Sequence, residues 1–192
     1  MKEYLLDTNA YYNLLAYSNA ANCGSDGDVL DIISTLKSGK VLISTITQIE
    51  IISVLGKYAR GGGGCSKCER TISPDGKKCP NTMYTPKRKK WNRKRIAGFR
   101  KLINETIDGT SKLISVSILP FDQDTILEAK KIIEYALTYS FASMDAMIAA
   151  TAKNAINSGR DLTVITSDRS LKKCLEECAI PVWDVFSVQK VS

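Results

Sequence analysis

Histidine is absent from all 192 residues, and that absence removes a large part of enzyme chemistry. Without an imidazole there is no Ser–His or Cys–His nucleophile pair and no histidine-bearing zinc site. Long apolar runs are missing too. None approaches the roughly 18 residues of a membrane-spanning helix, and the opening Met1-Lys2-Glu3-Tyr4-Leu5-Leu6-Asp7 lacks the extended apolar core of a signal peptide. The expectation is a cytoplasmic protein with no membrane partner.

Acid is scarce in one stretch only. From Lys57 to Lys101 there are 15 Lys and Arg against Glu69 and Asp75, leaving 12 of the 27 basic and 18 of the 20 acidic residues for the rest. The segment therefore carries +13 and the remainder −6. Such a division points to a polyanion, because Lys and Arg displace counterions from phosphate; a solvated, flexible loop is the alternative.

What is present is an alternation of short apolar runs with helical patterns. Tyr4–Leu6, Val41–Ile43, Leu113–Phe121, Leu162–Thr166 and Pro181–Val185 read as strands. Thr8–Tyr17, Asp28–Leu36, Thr45–Tyr58, Lys87–Ile107, Asp122–Tyr139, Ser143–Ile156 and Ser170–Cys178 read as helices. Ser18–Gly27 reads as a loop, Gly61–Gly64 as a helix stop and Cys65–Pro86 as turn-rich chain. Strands alternating with helices imply an α/β fold, a three-layer α/β/α sandwich around a mainly parallel sheet of about five strands.

Four acids stand out by position. Asp7 and Asp168 end the apolar runs Tyr4–Leu6 and Leu162–Thr166, where open α/β sheets place their ligands. Either could instead be a helix N-cap. Glu50 could complete a capping box with Thr47. Asp145 differs, since its helical neighbours at i+3, i+4 and i+7 are Ile148, Ala149 and Ala152, and no Lys or Arg lies within a turn of it. A carboxylate on an apolar face is costly unless paired with a cation or a metal. Four oxygen donors without histidine suit Mg²⁺ or Mn²⁺. Such ions activate water and stabilise a leaving oxygen in phosphodiester hydrolysis.

The set Leu5-Leu6-Asp7-Thr8-Asn9, Thr47–Glu50, Ser143-Met144-Asp145-Ala146-Met147-Ile148-Ala149-Ala150-Thr151-Ala152 and Ile165-Thr166-Ser167-Asp168-Arg169-Ser170-Leu171 resembles the PIN-domain nucleases and their small VapC-type toxins. The resemblance covers roughly residues 1–58 and 110–188. It implies one PIN-like domain over 1–192, with a basic, cysteine-bearing segment inserted at 61–108. It further implies Asp7, Glu50, Asp145 and Asp168 as catalytic, metal-binding acids, with Thr8, Asn9 and Thr166 in support. The expected activity is that of a divalent-metal-dependent endoribonuclease acting on RNA, a VapC-like toxin that pairs with an antitoxin protein and forms a homodimer. A non-catalytic RNA-binding protein and a nuclease of ribosomal-RNA processing are the alternatives.

The insertion departs from the minimal toxin pattern. Cys65-x2-Cys68-x10-Cys79 looks like a zinc ribbon with an incomplete second knuckle, since Thr82 stands where the second cysteine belongs. Cys23, Asp75, Cys174, Cys178 or a partner molecule could supply the fourth Zn²⁺ ligand. A metal-free segment and a Cys65–Cys79 disulfide are the competing readings, and Cys174 and Cys178 also read as small core residues. Lys87, Arg88, Lys89, Lys90, Arg93, Lys94 and Arg95 flank Trp91, a pattern that could grip an RNA backbone and stack a base. Trp91 is equally suited to anchoring its helix.

Overall fold

The computed structural model describes residues 1–21, 27–67, 73–77 and 82–184. In chain order the elements are β1 (Glu3–Leu6), α1 (Thr8–Ala21), α2 (Gly27–Lys37), β2 (Lys40–Ser44), α3 (Thr45–Arg60), β3 (Gly62–Lys67) and β4 (Thr82–Arg88). There follow α4 (Arg93–Ile107), β5 (Val116–Leu119), α5 (Gln123–Ile132), a 3₁₀ segment (Ile133–Leu137), α6 (Ser143–Asn157), β6 (Leu162–Ile165), α7 (Arg169–Glu177) and β7 (Val182–Trp183). The chain divides into two compact units, Met1–Ile51 with Leu102–Ser192, and Ile52–Lys101.

The first unit holds an all-parallel sheet in the order β5-β2-β1-β6-β7, the centre of an α/β/α sandwich. Leu5 pairs in register with Leu42 on one side and Val164 on the other. All three point to one face of the sheet and join a core with Ile132 of α5, Ala146, Ala149, Ala150 and Ala152 of α6, and Leu171 and Leu175 of α7. The small residues of α6 let that helix lie close to the strands. Alternation along the strands sends Leu6, Ile43 and Ile165 to the opposite face, where the buried Ala10, Tyr11, Leu14 and Leu15 of α1 belong. The Tyr11 hydroxyl bonds to that of Thr106, which donates to the Ile103 carbonyl at 2.8 Å, so α1 is tied to the last turns of α4.

The order of connections fixes where a ligand would sit. The chain leaves β1 toward β2 and leaves β6 toward β7, in opposite directions, although β1 and β6 are neighbours. That is the topological switch point of an open α/β sheet, with the ligand crevice outside the carboxyl ends of the two strands. Asp7 and Asp168 follow β1 and β6 there.

The second unit corrects the sequence reading most. Cys65–Pro86 was expected as turns, but its two ends form an antiparallel hairpin in which Cys65 pairs with Tyr84 and Lys67 with Thr82. The three glycines that open β3, Gly62–Gly64, have poor intrinsic strand preference, and it is the backbone ladder with β4 that makes them extended. The strand runs on to Arg88, so α4 starts at Arg93 rather than Lys87, with Asn92 Oδ1 accepting the Arg95 N–H at 2.8 Å as its cap. Gly61 stops α3 in the left-handed region (φ +65°), and a Cβ there would meet Lys90 Cβ at 2.5 Å. Within this unit Tyr58 stacks on Trp91 with ring centres 4.3 Å apart, Phe99 meets Trp91 edge-on, and the Arg95 guanidinium lies 4.1 Å from the Trp91 ring centre.

Smaller corrections follow from local chemistry. The loop expected at Ser18–Gly27 is shortened from both sides, by α1 reaching Ala21 and α2 starting at Gly27. The strand expected over Leu113–Phe121 is only Val116–Leu119, and the helix expected to Tyr139 tightens into 3₁₀ geometry after Ile132.

Candidate active site

Asp7 is the most constrained of the four acids. It ends the central strand, where its N–H donates to the Ile165 carbonyl of β6 at 3.2 Å, and it caps α1 by accepting the Ala10 N–H on Oδ1 at 2.5 Å. Its other oxygen accepts from the Thr166 hydroxyl at 2.5 Å. Thr166 is fully buried and takes the Asp168 N–H at 3.0 Å on the same hydroxyl oxygen, so one side chain links the ends of β1 and β6. Asp7 is only 3% exposed.

Glu50 reaches the site from the second turn of α3. Thr47 and Glu50 do not form the capping box expected for them, because the helix begins earlier and Ser44 is its cap, accepting the Thr47 N–H at 2.9 Å. Glu50 is thereby released to accept from the Thr8 hydroxyl at 2.6 Å, across 42 residues of sequence. Tyr12, one turn further along α1, donates to the Ile51 carbonyl at 2.6 Å and holds the two helices in this register.

Asp145 and Asp168 each sit in the opening of a helix. Asp145 is the third residue of α6 and accepts the Ala142 N–H on Oδ2 at 2.9 Å. Ala142 has no side-chain acceptor, so this is one half of a capping box. As its spacing suggested, Asp145 shares a helix face with the buried Ile148, Ala149 and Ala152, although the carboxylate itself is half-buried. Asp168 caps α7, taking the Ser170 and Leu171 N–H groups on Oδ1, both at 2.8 Å. Capping uses one oxygen each of Asp145 and Asp168, so it does not exclude the functional reading of these acids. Protein donors occupy both oxygens of Asp7, but Glu50 Oε1, Asp145 Oδ1 and Asp168 Oδ2 accept no protein hydrogen bond among the described residues.

The electrostatics join the four. Burial pushes the Asp7 carboxyl up to about 6, opposed by the hydrogen bonds from Thr166 and Ala10 and reinforced by the charges of Asp145 and Asp168. Burial also raises Asp145, against the Ala142 N–H, with Asp168 and Glu50 adding to the rise. Carboxylates that repel one another where they are poorly solvated could be relieved by a cation. All donors are hard oxygens, which fits Mg²⁺ or Mn²⁺ rather than a soft metal. As placed, no three acidic or sulfur-bearing side chains among the described residues enclose an ion. Mg²⁺ is commonly held through one or two carboxylates with the rest of its shell water, so the donor set fits that ion without a closed cage.

Of the supporting residues, Thr8 and Thr166 are buried and bonded to the acids, whereas Asn9 is exposed. Asp184, just after β7, escaped the sequence reading. It accepts from the Ser167 hydroxyl at 2.8 Å and pairs with Lys172, bracing the turn that carries Asp168. The one available signal was an acid directly after a short apolar run.

Cys68 and Cys79 of the expected zinc ribbon, like Cys23, lie outside the described residues, and Cys65 is placed by its backbone in β3. Cys174 is a free thiol in the core between Leu171 and Leu175, with burial pushing it up to about 12. Lys89, Lys90, Arg93, Lys94 and Arg95 are exposed, Trp91 is half-buried, and Lys87 and Arg88 lie in β4.

Four acids gathered about the topological switch point of an all-parallel sheet define an open α/β protein with an acidic candidate site, and no helix among the described residues is long and apolar enough to cross a membrane. The family model described as "PIN domain" matches residues 4–174. The chain belongs to the PIN-domain family, whose members are generally nucleases. Among solved structures it is similar to FitAcB from Neisseria gonorrhoeae, at 20% identity and TM-score 0.54, covering 96% of this chain and 99% of that one. It is also similar to FitAB bound to an IR36 DNA fragment (20% identity, TM-score 0.55, 98% and 99% covered). VapBC2 from Rickettsia felis, bound to a DNA fragment from its promoter, is a third (14%, TM-score 0.51, 95% and 99% covered). No curated protein sequence matches.

Proposed function

We propose that this protein is a divalent-metal-dependent endoribonuclease and the toxin of a toxin–antitoxin pair. The observation that carries the nuclease reading is the placement of Asp7 and Asp168 at the ends of the paired strands β1 and β6, with Glu50 tied to Thr8 beside Asp7, Asp145 near enough to add to the rise of Asp7, and carboxylate oxygens of Glu50, Asp145 and Asp168 unspent. Asp145, Asp168 and Glu50 would hold Mg²⁺ or Mn²⁺ through those oxygens, with Asp7 contributing charge from beneath. Such an ion activates water and stabilises the leaving oxygen of a phosphodiester.

The chain's own residues supply order. Thr166 fixes Asp7 and the backbone of Asp168, Thr8 holds Glu50 beside Asp7, and the Ala142 N–H fixes Asp145. Preorganised carboxylates need not reorganise when charge develops. The toxin reading is supported by the fold likeness to FitAB and VapBC2, each bound to a DNA fragment. A protein partner, an antitoxin or a second copy, also suits the exposed Leu127, Tyr135 and Leu137, the last 88% exposed.

The test is RNA cleavage under Mn²⁺ titration by wild type and Asp145→Asn. Metal-stimulated cleavage lost in the variant is expected; cleavage at the wild-type rate by Asp145→Asn overturns the reading. RNA binding that ignores chelator, with no cleavage at any Mn²⁺ concentration, would instead establish a non-catalytic RNA-binding protein.

A further inference from the structure

Between Asp75 and Glu105 the sequence has eleven basic residues and no acid. Helix α4 sorts the basic residues it contains. Arg95 is turned onto the Trp91 ring. Phe99 is buried and Ile96 half-buried, which fixes the inward side of the helix. Arg93, Lys94 and Arg100 are exposed around the small, exposed Ala97, Lys94 on the far side of the helix and Arg93 and Arg100 on the flank next to Ile96, and none of the three pairs with an acid among the described residues. Helical geometry puts Arg93, Ala97 and Arg100 in one row, with Lys94 beside it. Seven residues of helix span about 10.5 Å, close to two steps along a nucleic-acid backbone. The exposed Lys89 and Lys90 lead into the row.

We infer that the outer face of α4, formed by Arg93, Lys94 and Arg100 around Ala97, is a docking site for the phosphodiester backbone of single-stranded RNA. The choice of RNA rests on the proposed substrate; the choice of a polyanion rests on charge. Three unpaired like charges on adjacent turns repel one another, and a regularly spaced anion relieves that repulsion. The small side chain of Ala97 lets a backbone approach the helix between the cations. Trp91, the aromatic residue within the basic cluster, is stacked on Tyr58 and covered by Arg95, so the face grips phosphate without stacking a base. Binding there is blind to sequence.

The test is the salt dependence of RNA binding by the full chain in chelator, with 20-nucleotide uridine and cytidine oligomers as probes. Each phosphate contact to a single strand contributes about 0.7 to the slope of log K against log salt. The variant Arg93→Gln/Lys94→Gln/Arg100→Gln should lower that slope by about 2 and weaken binding at 0.1 M salt on the order of 100-fold. The two oligomers should bind alike, and Lys112→Gln/Lys130→Gln/Lys173→Gln, with the same loss of charge, should lower the slope by less than about 1. Matching thermal unfolding of wild type and variant excludes a folding defect. An unchanged slope in the α4 variant overturns the inference, as does an equal fall in the control. So does RNA binding left intact while binding to polyglutamate is lost, which would make the face a protein site. No step requires cleavage: wild type that binds RNA with a steep slope but never cuts it with Mn²⁺ overturns the nuclease reading and leaves this face standing.

Discussion

The Thr166 hydroxyl donates to Asp7 Oδ2 from the neighbouring strand end and accepts the Asp168 N–H on the same oxygen, so one buried side chain sets two acids of the crevice. Thr166→Val keeps the shape of that side chain and removes the hydroxyl. The bond from Thr166 is the largest influence lowering the Asp7 carboxyl, and without it Asp7 should titrate higher still. The expected result is an RNA-cleavage pH profile whose acidic limb moves to higher pH, with roughly 1–3 kcal/mol lost in unfolding from the unpaired groups. Thr166→Ser should restore both. A pH profile unmoved in Thr166→Val would show that Asp7 does not titrate in the cleavage step.

Asp7 also gives a stability prediction with a definite sign. Its folded value of about 6 lies above the ordinary 3.8, so the folded chain holds a proton that the unfolded chain releases as pH rises from about 4 to 6. Stability from this group is therefore complete below about 4 and is lost as pH rises through 6, by at most about 3 kcal/mol. Asp7→Asn removes the titration and keeps a polar side chain of the same shape. In chelator, the variant should gain stability over wild type as pH is raised from 4 to 7, by roughly 1–3 kcal/mol in denaturant unfolding. Excess Mn²⁺ should narrow the gap by stabilising wild type. A gap that stays constant with pH would show that Asp7 is ionised throughout.

Much of the sheet was legible because each strand is an apolar run ended by a polar residue, as in Leu5-Leu6-Asp7 and Val164-Ile165-Thr166. That Asp145 shares a face with buried residues was legible from its neighbours at i+3, i+4 and i+7 alone. Glu50 was harder: Thr47 offered a local partner, while its actual donor Thr8 is 42 positions away, and only the pairing of β1 with β2 brings their following helices together. The β3–β4 hairpin was hidden because Gly62–Gly64 carries no side-chain pattern and owes its form to its partner strand. Asp184 was hidden because its role depends on the β6–β7 pairing that brings it to Ser167 and Lys172.

Trp91 divides two readings that the sequence left open. With Tyr58 stacked on it, Phe99 at its edge and Arg95 against the ring, it should act as the anchor of its unit. Trp91→Ala should cost roughly 3 kcal/mol from lost burial and aromatic contact, read as faster amide hydrogen exchange across Ile52–Lys101. Trp91→Phe should recover most of it. Loss of RNA binding in Trp91→Ala without faster exchange would show the ring to be a base-stacking platform.

The Thr8–Glu50 bond predicts how the metal should respond. Thr8 spends its hydroxyl on Glu50 Oε2 and leaves Oε1 without a protein donor among the described residues. Thr8→Val keeps the buried shape but frees the carboxylate to rotate toward water, where it is better solvated. Groups that orient a ligand without touching the metal commonly change metal affinity by about 10–100-fold. Thr8→Val should therefore raise the Mn²⁺ concentration for half-maximal RNA cleavage by about 10-fold, with the maximal rate less affected, and Thr8→Ser should behave as wild type. Electron paramagnetic resonance of free Mn²⁺ measures the same affinity without any cleavage. If Thr8→Val binds Mn²⁺ as tightly as wild type while its maximal rate falls, Glu50 acts on the substrate water rather than on the metal.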